Sequence, residues 1–159
     1  MLSYGYAHDT FQQTRDIRPA TDRGGPVTTR LLVIDDSELV PRMLERVLKR
    51  HGDYEILEAR DGGEGLDVLQ RNPDIDLVFL DLRMPGMDGI AFLEARKQLP
   101  PALAAIPVVI ISAQDSEIVR AAAQQGGATD YLVKPIRLRD LGRIIARHLI
   151  RESADDATG

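Results

Sequence analysis

An unbroken apolar run that stops at a carboxylate constrains this chain more than any other stretch. Leu77-Val78-Phe79-Leu80 leads directly into Asp81, and the loop that follows, Leu82 to Gly89, contains a proline and two glycines before an amphipathic pattern starts at Ile90. A short run with no polar alternation reads as a strand buried on both faces, as in a parallel sheet covered by helices. In open α/β sheets ligands and chemistry collect at the carboxyl ends of the strands, so Asp81 is the residue to account for.

The same texture recurs along the chain. From Arg30, Leu31-Leu32-Val33-Ile34 runs into Asp35-Asp36, and Ser37 stands where it can cap a helix that continues to about Arg50. That helix offers Leu39, Met43, Leu44, Val47 and Leu48 at core spacing, carries Pro41 close to its start, and is closed by Gly52. Glu55 to Ala59 is shorter and has polar ends, which suits an edge strand, and the helix from Gly62 to about Arg71 turns Leu66 and Leu69 inward. Gly62-Gly63-Glu64-Gly65 lacks the context of a phosphate loop and serves to open that helix.

After Asp81 a helix is expected from about Asp88 to Gln98, with Ile90, Phe92, Leu93 and Ala95 partly buried, until Pro100-Pro101 breaks the pattern. Pro107 to Ile111 is a fourth buried strand ending at Ser112-Ala113, and Asp115 or Ser116 caps the helix that Gly126-Gly127 closes. Asp130 to Val133 is a fifth strand delivering Lys134 before Pro135, and the last helix, from about Arg137 to Arg151, buries Leu138, Leu141, Ile145 and Leu149. Five strands alternating with five helices predict an α/β, doubly wound parallel sheet with right-handed crossovers and strand order 2-1-3-4-5.

Composition narrows the class. At 159 residues, with 43% hydrophobic and 28% charged residues, the chain suits one soluble domain. The absence of cysteine excludes disulfides, thiolate metal sites and cysteine nucleophiles. No apolar run has the length of a signal peptide or a membrane span, so a cytoplasmic protein is expected, and the net charge of -5 argues against nonspecific nucleic-acid binding. Residues 1–29, with scattered Tyr4, Tyr6, Phe11 and Ile17, read as a flexible N-terminal extension; residues 30–151 form the domain, and 152–159 a small polar tail.

Asp35-Asp36, Asp81, Ser112 and Lys134 all arrive at one edge of such a sheet. Three carboxylates brought together repel one another, and a hard divalent cation with oxygen ligands relieves the repulsion. Magnesium fits, because it takes one or two carboxylates, several waters and a phosphate oxygen. With magnesium on one side and Lys134 on the other, Asp81 can act as the nucleophile that forms an acyl phosphate. Ser112 then donates a hydrogen bond to a phosphoryl oxygen and acts as its sensor, and Ala113 leaves room for the group to enter.

Taken together, Asp35-Asp36, Asp81-x-x-Met84-Pro85-x-x-Asp88-Gly89, Ser112-Ala113 and Tyr131-Leu132-Val133-Lys134-Pro135 stand in the order of a known family. From Arg30 to about Arg151 the chain resembles the receiver domain of two-component response regulators, in the single-domain layout of the chemotaxis type. The resemblance implies a flavodoxin-like fold and phosphoryl transfer to Asp81 from a sensor histidine kinase or a phosphotransfer protein. It implies Mg2+ held by Asp36, Asp81 and the backbone carbonyl of Arg83, with Asp35 helping through water. It implies a switch in which Ser112 moves toward the phosphoryl group and Tyr131 changes rotamer. The face made by the fourth helix, fifth strand and fifth helix would then dock a downstream protein or a second copy of the chain, without direct contact to nucleic acid or membrane. A cis Lys134-Pro135 peptide belongs to the same expectation, and Arg83 and Gln114 occupy positions that tune phosphoryl lifetime. Such a domain is no enzyme in the ordinary sense, since it catalyses only its own phosphorylation and dephosphorylation.

Other readings of the residues are weaker. A phosphohydrolase with an aspartyl-phosphate intermediate needs a second carboxylate two residues after the nucleophile, where Arg83 stands. A flavin carrier of similar topology needs a hydroxyl- and glycine-rich loop after the first strand, where Asp35-Asp36 stands instead. His8, His51 and His148 are isolated from one another and receive no catalytic or metal role. Arg139, Arg143, Arg147 and Arg151 recur at four-residue steps, a basic ridge that is either a solvated face or a dock for an acidic partner. The chain either acts by direct contact with a partner or is the receiver portion of something longer.

Overall fold

The computed structural model describes residues 28–50 and 53–149. In chain order these form β1 (Thr29–Ile34), α1 (Leu39–Leu48), β2 (Tyr54–Ala59), α2 (Gly62–Arg71), β3 (Leu77–Asp81) and α3 (Gly89–Arg96). A single helical turn, Pro101–Ala104, precedes β4 (Val108–Ser112), α4 (Glu117–Gln125), β5 (Asp130–Val133) and α5 (Leu138–His148). The strands form one sheet in the expected order, β2-β1-β3-β4-β5, and all four pairings are parallel.

The continuous apolar runs are explained by cover on both faces. Leu32, Ile34, Val78, Leu80, Val108 and Ile110 pack with Leu69, Phe92, Leu93 and Ala123 from α2, α3 and α4. Their neighbours of opposite parity, Leu31, Val33, Leu77, Phe79, Val109 and Ile111, pack with Leu44, Leu48, Leu141 and Ile145 from α1 and α5. Every residue of β3 and β4 is buried, whereas β2 lies at an edge and keeps its polar residues exposed, as expected.

Several local expectations need correction. Ser37 is not the cap of α1. That position belongs to Glu38, which makes no side-chain cap, and the Ser37 hydroxyl accepts from the Leu39 N–H one step earlier. The core stripe of α1 accordingly begins at Val40 and runs through Leu44 and Leu48, so Leu39 is 60% exposed. At α5 the same shift leaves Leu138 exposed and buries Ile144 beside Leu141 and Ile145. Pro100-Pro101 does break α3, but Pro101 then starts the short turn, where its missing N–H is no loss.

Asp61 caps α2 by accepting from the Glu64 N–H, so the glycine cluster opens that helix, and Ser116 rather than Asp115 caps α4. The Lys134-Pro135 peptide is cis. The expectations for residues 1–27, His51, Gly52, Arg151 and the tail lie outside the described residues.

Candidate functional site

The strand register brings the chemistry-bearing residues together. Ile34 pairs with Leu80, Asp81 with Ile111, and Ser112 with Val133, so the residues ending β1, β3, β4 and β5 stand in adjacent rows at one edge. The Lys134 N–H closes the row by donating to the Ser112 carbonyl at 2.8 Å.

The loop after β3 is shaped around Asp81. Gly86 turns the chain at a φ of 76°, a conformation that favours glycine, and Met87 returns its carbonyl to the Gly62 N–H at the start of α2. Asp88 then caps α3 by accepting from the Ala91 N–H. Gly89 does not have a positive φ; what its place demands is close approach, because a Cβ there would collide with the Asp81 carbonyl and lie 2.8 Å from the Leu82 Cα.

Carboxylate oxygens of Asp35, Asp36 and Asp81 lie within 4.8 Å of one another, with Asp35 and Asp81 buried and Asp36 exposed. Lys134 Nζ donates to Asp81 Oδ2 at 3.1 Å and to Asp35 Oδ2 at 3.3 Å. The Arg83 N–H donates to Asp81 Oδ1, and the Ser37 N–H to Asp35 Oδ1. Burial pushes the Asp35 carboxyl above the usual range, with the Asp81 charge adding to it, and the Ser37 N–H and Lys134 recover only part. For Lys134 burial pulls downward, but the hydrogen bond to Asp81 and the charges of Asp81 and Asp35 outweigh it, so the ammonium is held above its ordinary value. One ammonium against three carboxylates leaves an excess of negative charge in a set of hard oxygen donors, and that donor set fits a magnesium-like cation.

Ser112 is buried beside this cluster, and its hydroxyl accepts from the Gln114 N–H at 3.1 Å. Tyr131 is half-buried. Its hydroxyl donates to the Gln114 carbonyl at 2.6 Å, and the Arg120 guanidinium lies 4.6 Å from its ring centroid. The structure therefore brings Asp35, Asp36, Asp81, Ser112 and Lys134 to one edge, with Tyr131 joined to it through Gln114.

Two features were missed at the level of sequence. With its amide oxygen turned toward Arg83, Gln114 accepts from Arg83 Nη2 at 2.8 Å and also from Nε, so the loops after β3 and β4 are clasped together. Arg96 is 5% exposed and donates to the carbonyls of Ile106 at 2.8 Å and Gly127 at 3.0 Å. Its place in the last turn of α3 looks solvated in the sequence; only the Ile90-Phe92-Leu93 stripe one turn earlier hints otherwise. The basic ridge is partly neutralised, since Arg147 pairs with Asp130 at 2.6 Å, where His148 Nε2 also bonds.

Comparison with known proteins gives a consistent picture. Residues 31–146 match the family model described as response regulator receiver domain. Response regulator MprA of Mycolicibacterium vanbaalenii is 38% identical over 130 residues, covering 82% of this chain and 54% of that protein. The chain thus spans about half the length of that relative. Protein PilH of Pseudomonas aeruginosa is 37% identical over 109 residues, covering 67% of this chain and 86% of that protein.

Among solved structures, Vibrio cholerae chemotaxis protein CheY4 superposes with a TM-score of 0.67 at 30% identity, covering 77% of this chain and 99% of that one. The Mn(2+)-bound form of response regulator Rcp1 does so with a TM-score of 0.67 at 31% identity, covering 79% of this chain and 97% of that one.

Proposed function

The chain belongs to the response regulator receiver domain family of two-component signalling, and we propose that its Asp81 accepts a phosphoryl group from the phosphohistidine of a sensor kinase or phosphotransfer protein. The observation that carries this reading is the placement of Asp81 between a three-carboxylate cluster and an ammonium 3.1 Å away. In the step, an Asp81 carboxylate oxygen bonds to phosphorus as the P–N bond of the donor breaks, and the imidazole leaves with the bonding pair.

Asp36, Asp81 and the Arg83 carbonyl would hold Mg2+, with Asp35 helping through water. The bound cation supplies neutralisation of charge on the transferred group and on the carboxylates. Lys134 holds Asp81 oriented and is positioned to pair with a phosphoryl oxygen, while burial of Asp35 and Asp81 limits water around the reacting carboxylate. Ser112, whose Oγ already accepts from Gln114, keeps its proton to donate to the phosphoryl group. Movement of Ser112, together with a rotamer change of Tyr131, would alter the α4-β5-α5 face, where a downstream protein or a second copy docks. The work is cytoplasmic in this reading, and among the described residues no helix is long and apolar enough to cross a membrane.

A hydrolase acting on other molecules is disfavoured by Arg83, which stands where a general acid would be needed and is clasped to Gln114. Intact-mass analysis after incubation with acetyl phosphate tests the proposal. One adduct of about 80 Da is expected, lost in the Asp81→Asn variant and on chelation of magnesium. An adduct that persists in that variant overturns it.

A further inference from the structure

We propose that the Arg83 side chain exchanges partners during the phosphorylation cycle, clasping Gln114 in the unmodified protein and pairing with the phosphoryl group once Asp81 carries one. The inference rests on the reading of Asp81 as acceptor and goes beyond it, because it gives the side chain of Arg83 a role distinct from that of its backbone carbonyl.

Three observations converge. The backbone N–H of Arg83 donates to Asp81 Oδ1 at 3.2 Å, so the root of this side chain sits against the acceptor itself. Its guanidinium reaches across to the loop after β4, where the Gln114 amide, assigned oxygen-first because only that orientation satisfies both groups, accepts from both Nη2 and Nε. Gln114 is in turn bonded through its own N–H to Ser112 Oγ, so the clasp completes a chain of contacts from Asp81 through Arg83 and Gln114 to Ser112.

The chemistry decides the direction of exchange. A guanidinium fork on a neutral amide makes weaker hydrogen bonds than the same fork on an anionic oxygen, which it matches in geometry and in charge. Lys134, bonded to Asp81 Oδ2 and to Asp35, is placed to take one phosphoryl oxygen and leaves the others for a second cation. A phosphoryl group on Asp81 therefore offers Arg83 a better partner than it now has. When Arg83 leaves, the loop after β4 loses its tie to the loop after β3, and the Gln114 carbonyl that holds the Tyr131 hydroxyl becomes freer to move. The clasp and the phosphoryl contact compete for one guanidinium, so each weakens the other.

Competition of this kind has a signature that a merely structural contact lacks. Beryllofluoride with magnesium is the probe, titrated into the full chain and into the variants Gln114→Ala and Arg83→Ala, with binding read by calorimetry. Gln114→Ala releases Arg83 in advance and is expected to tighten binding about threefold to tenfold, whereas Arg83→Ala removes the new partner and is expected to weaken it by a similar factor. The Arg83 Nε–H resonance, identified by its loss in Arg83→Ala, is expected to shift on binding in the native chain. Changes of equal sign in the two variants, or an Arg83 Nε–H signal that beryllofluoride leaves unmoved while it binds, overturn the exchange alone. A native chain that binds no beryllofluoride overturns the acceptor reading itself, and the exchange with it.

Discussion

Asp35 and Arg96 are the two buried charges whose surroundings make opposite demands. The Asp35 carboxyl is raised by burial and by the nearby charge of Asp81, so the folded state binds its proton more tightly than the unfolded chain does. Its ionisation therefore costs stability as pH rises from about 4 through the raised folded value, and the cost is complete only above that value. Asp35→Asn removes that cost. In magnesium-free buffer the variant is expected to be more stable than the native chain at pH 7, with the gap shrinking as pH falls toward 4; urea denaturation at several pH values measures it, and a constant gap contradicts the assignment.

Arg96 has no carboxylate partner among the described contacts; it ties the carbonyls of Ile106 and Gly127, and its Nε has no partner. Burial lowers its pKa, yet removing it strands two carbonyls. Arg96→Met is expected to cost about 1–3 kcal/mol in urea unfolding, and a variant as stable as the native chain contradicts the role. Neither charge could be assigned from sequence: Asp35 was legible as a site residue but not as a strained one, and Arg96 looked like an ordinary last-turn cation.

At the scale of elements, β1, β3 and β4 were legible because burial on both faces writes a continuous apolar run that no loop imitates. The site followed from them, since Asp81, Ser112 and Lys134 were each read as the residue ending a strand, and register alone aligns them. Helix phase was less legible. Leu39 and Leu138 each stand at a helix start, where the chain has not yet turned onto the core, so hydrophobicity there says little about burial.

In the sequence Gly89 shows only as one of two glycines in a loop; what it provides is room, with the Leu82 Cα 2.8 Å from any Cβ and the Asp81 carbonyl nearer still. Gly89→Ala must therefore displace backbone at the acceptor. It is expected to destabilise the fold by about 1–3 kcal/mol and to reduce adduct formation on Asp81 by more than the folded fraction explains, as judged by mass analysis at matched folded protein. Normal adduct yield would show that the Asp81 backbone tolerates the shift.

Across the whole molecule, one half of the sheet edge gathers three carboxylates and the other half a single ammonium, so a cation that bound the cluster would be linked to folding. A cation bound only by the folded state adds about 2.7 kcal/mol when present at one hundred times its dissociation constant. Magnesium is therefore expected to raise the thermal midpoint of the native chain, and Asp36→Asn, which removes the exposed carboxylate of the cluster, is expected to blunt that rise in differential scanning calorimetry. An undiminished rise would locate the cation elsewhere.

Partner choice was not legible at this scale. Of the basic ridge, Arg151 lies outside the described residues, Arg147 is engaged with Asp130 and Arg143 lies 3.7 Å from Asp140. The account as a whole stands on Asp81 being the acceptor, and borohydride reduction after acetyl phosphate treatment addresses that most directly, because an aspartyl phosphate is reduced to homoserine while an unmodified carboxylate is not. Peptide sequencing by mass spectrometry is predicted to find homoserine at position 81, dependent on magnesium. Homoserine at Asp35 or Asp36 instead, or at no position although the protein carries the adduct, would contradict it.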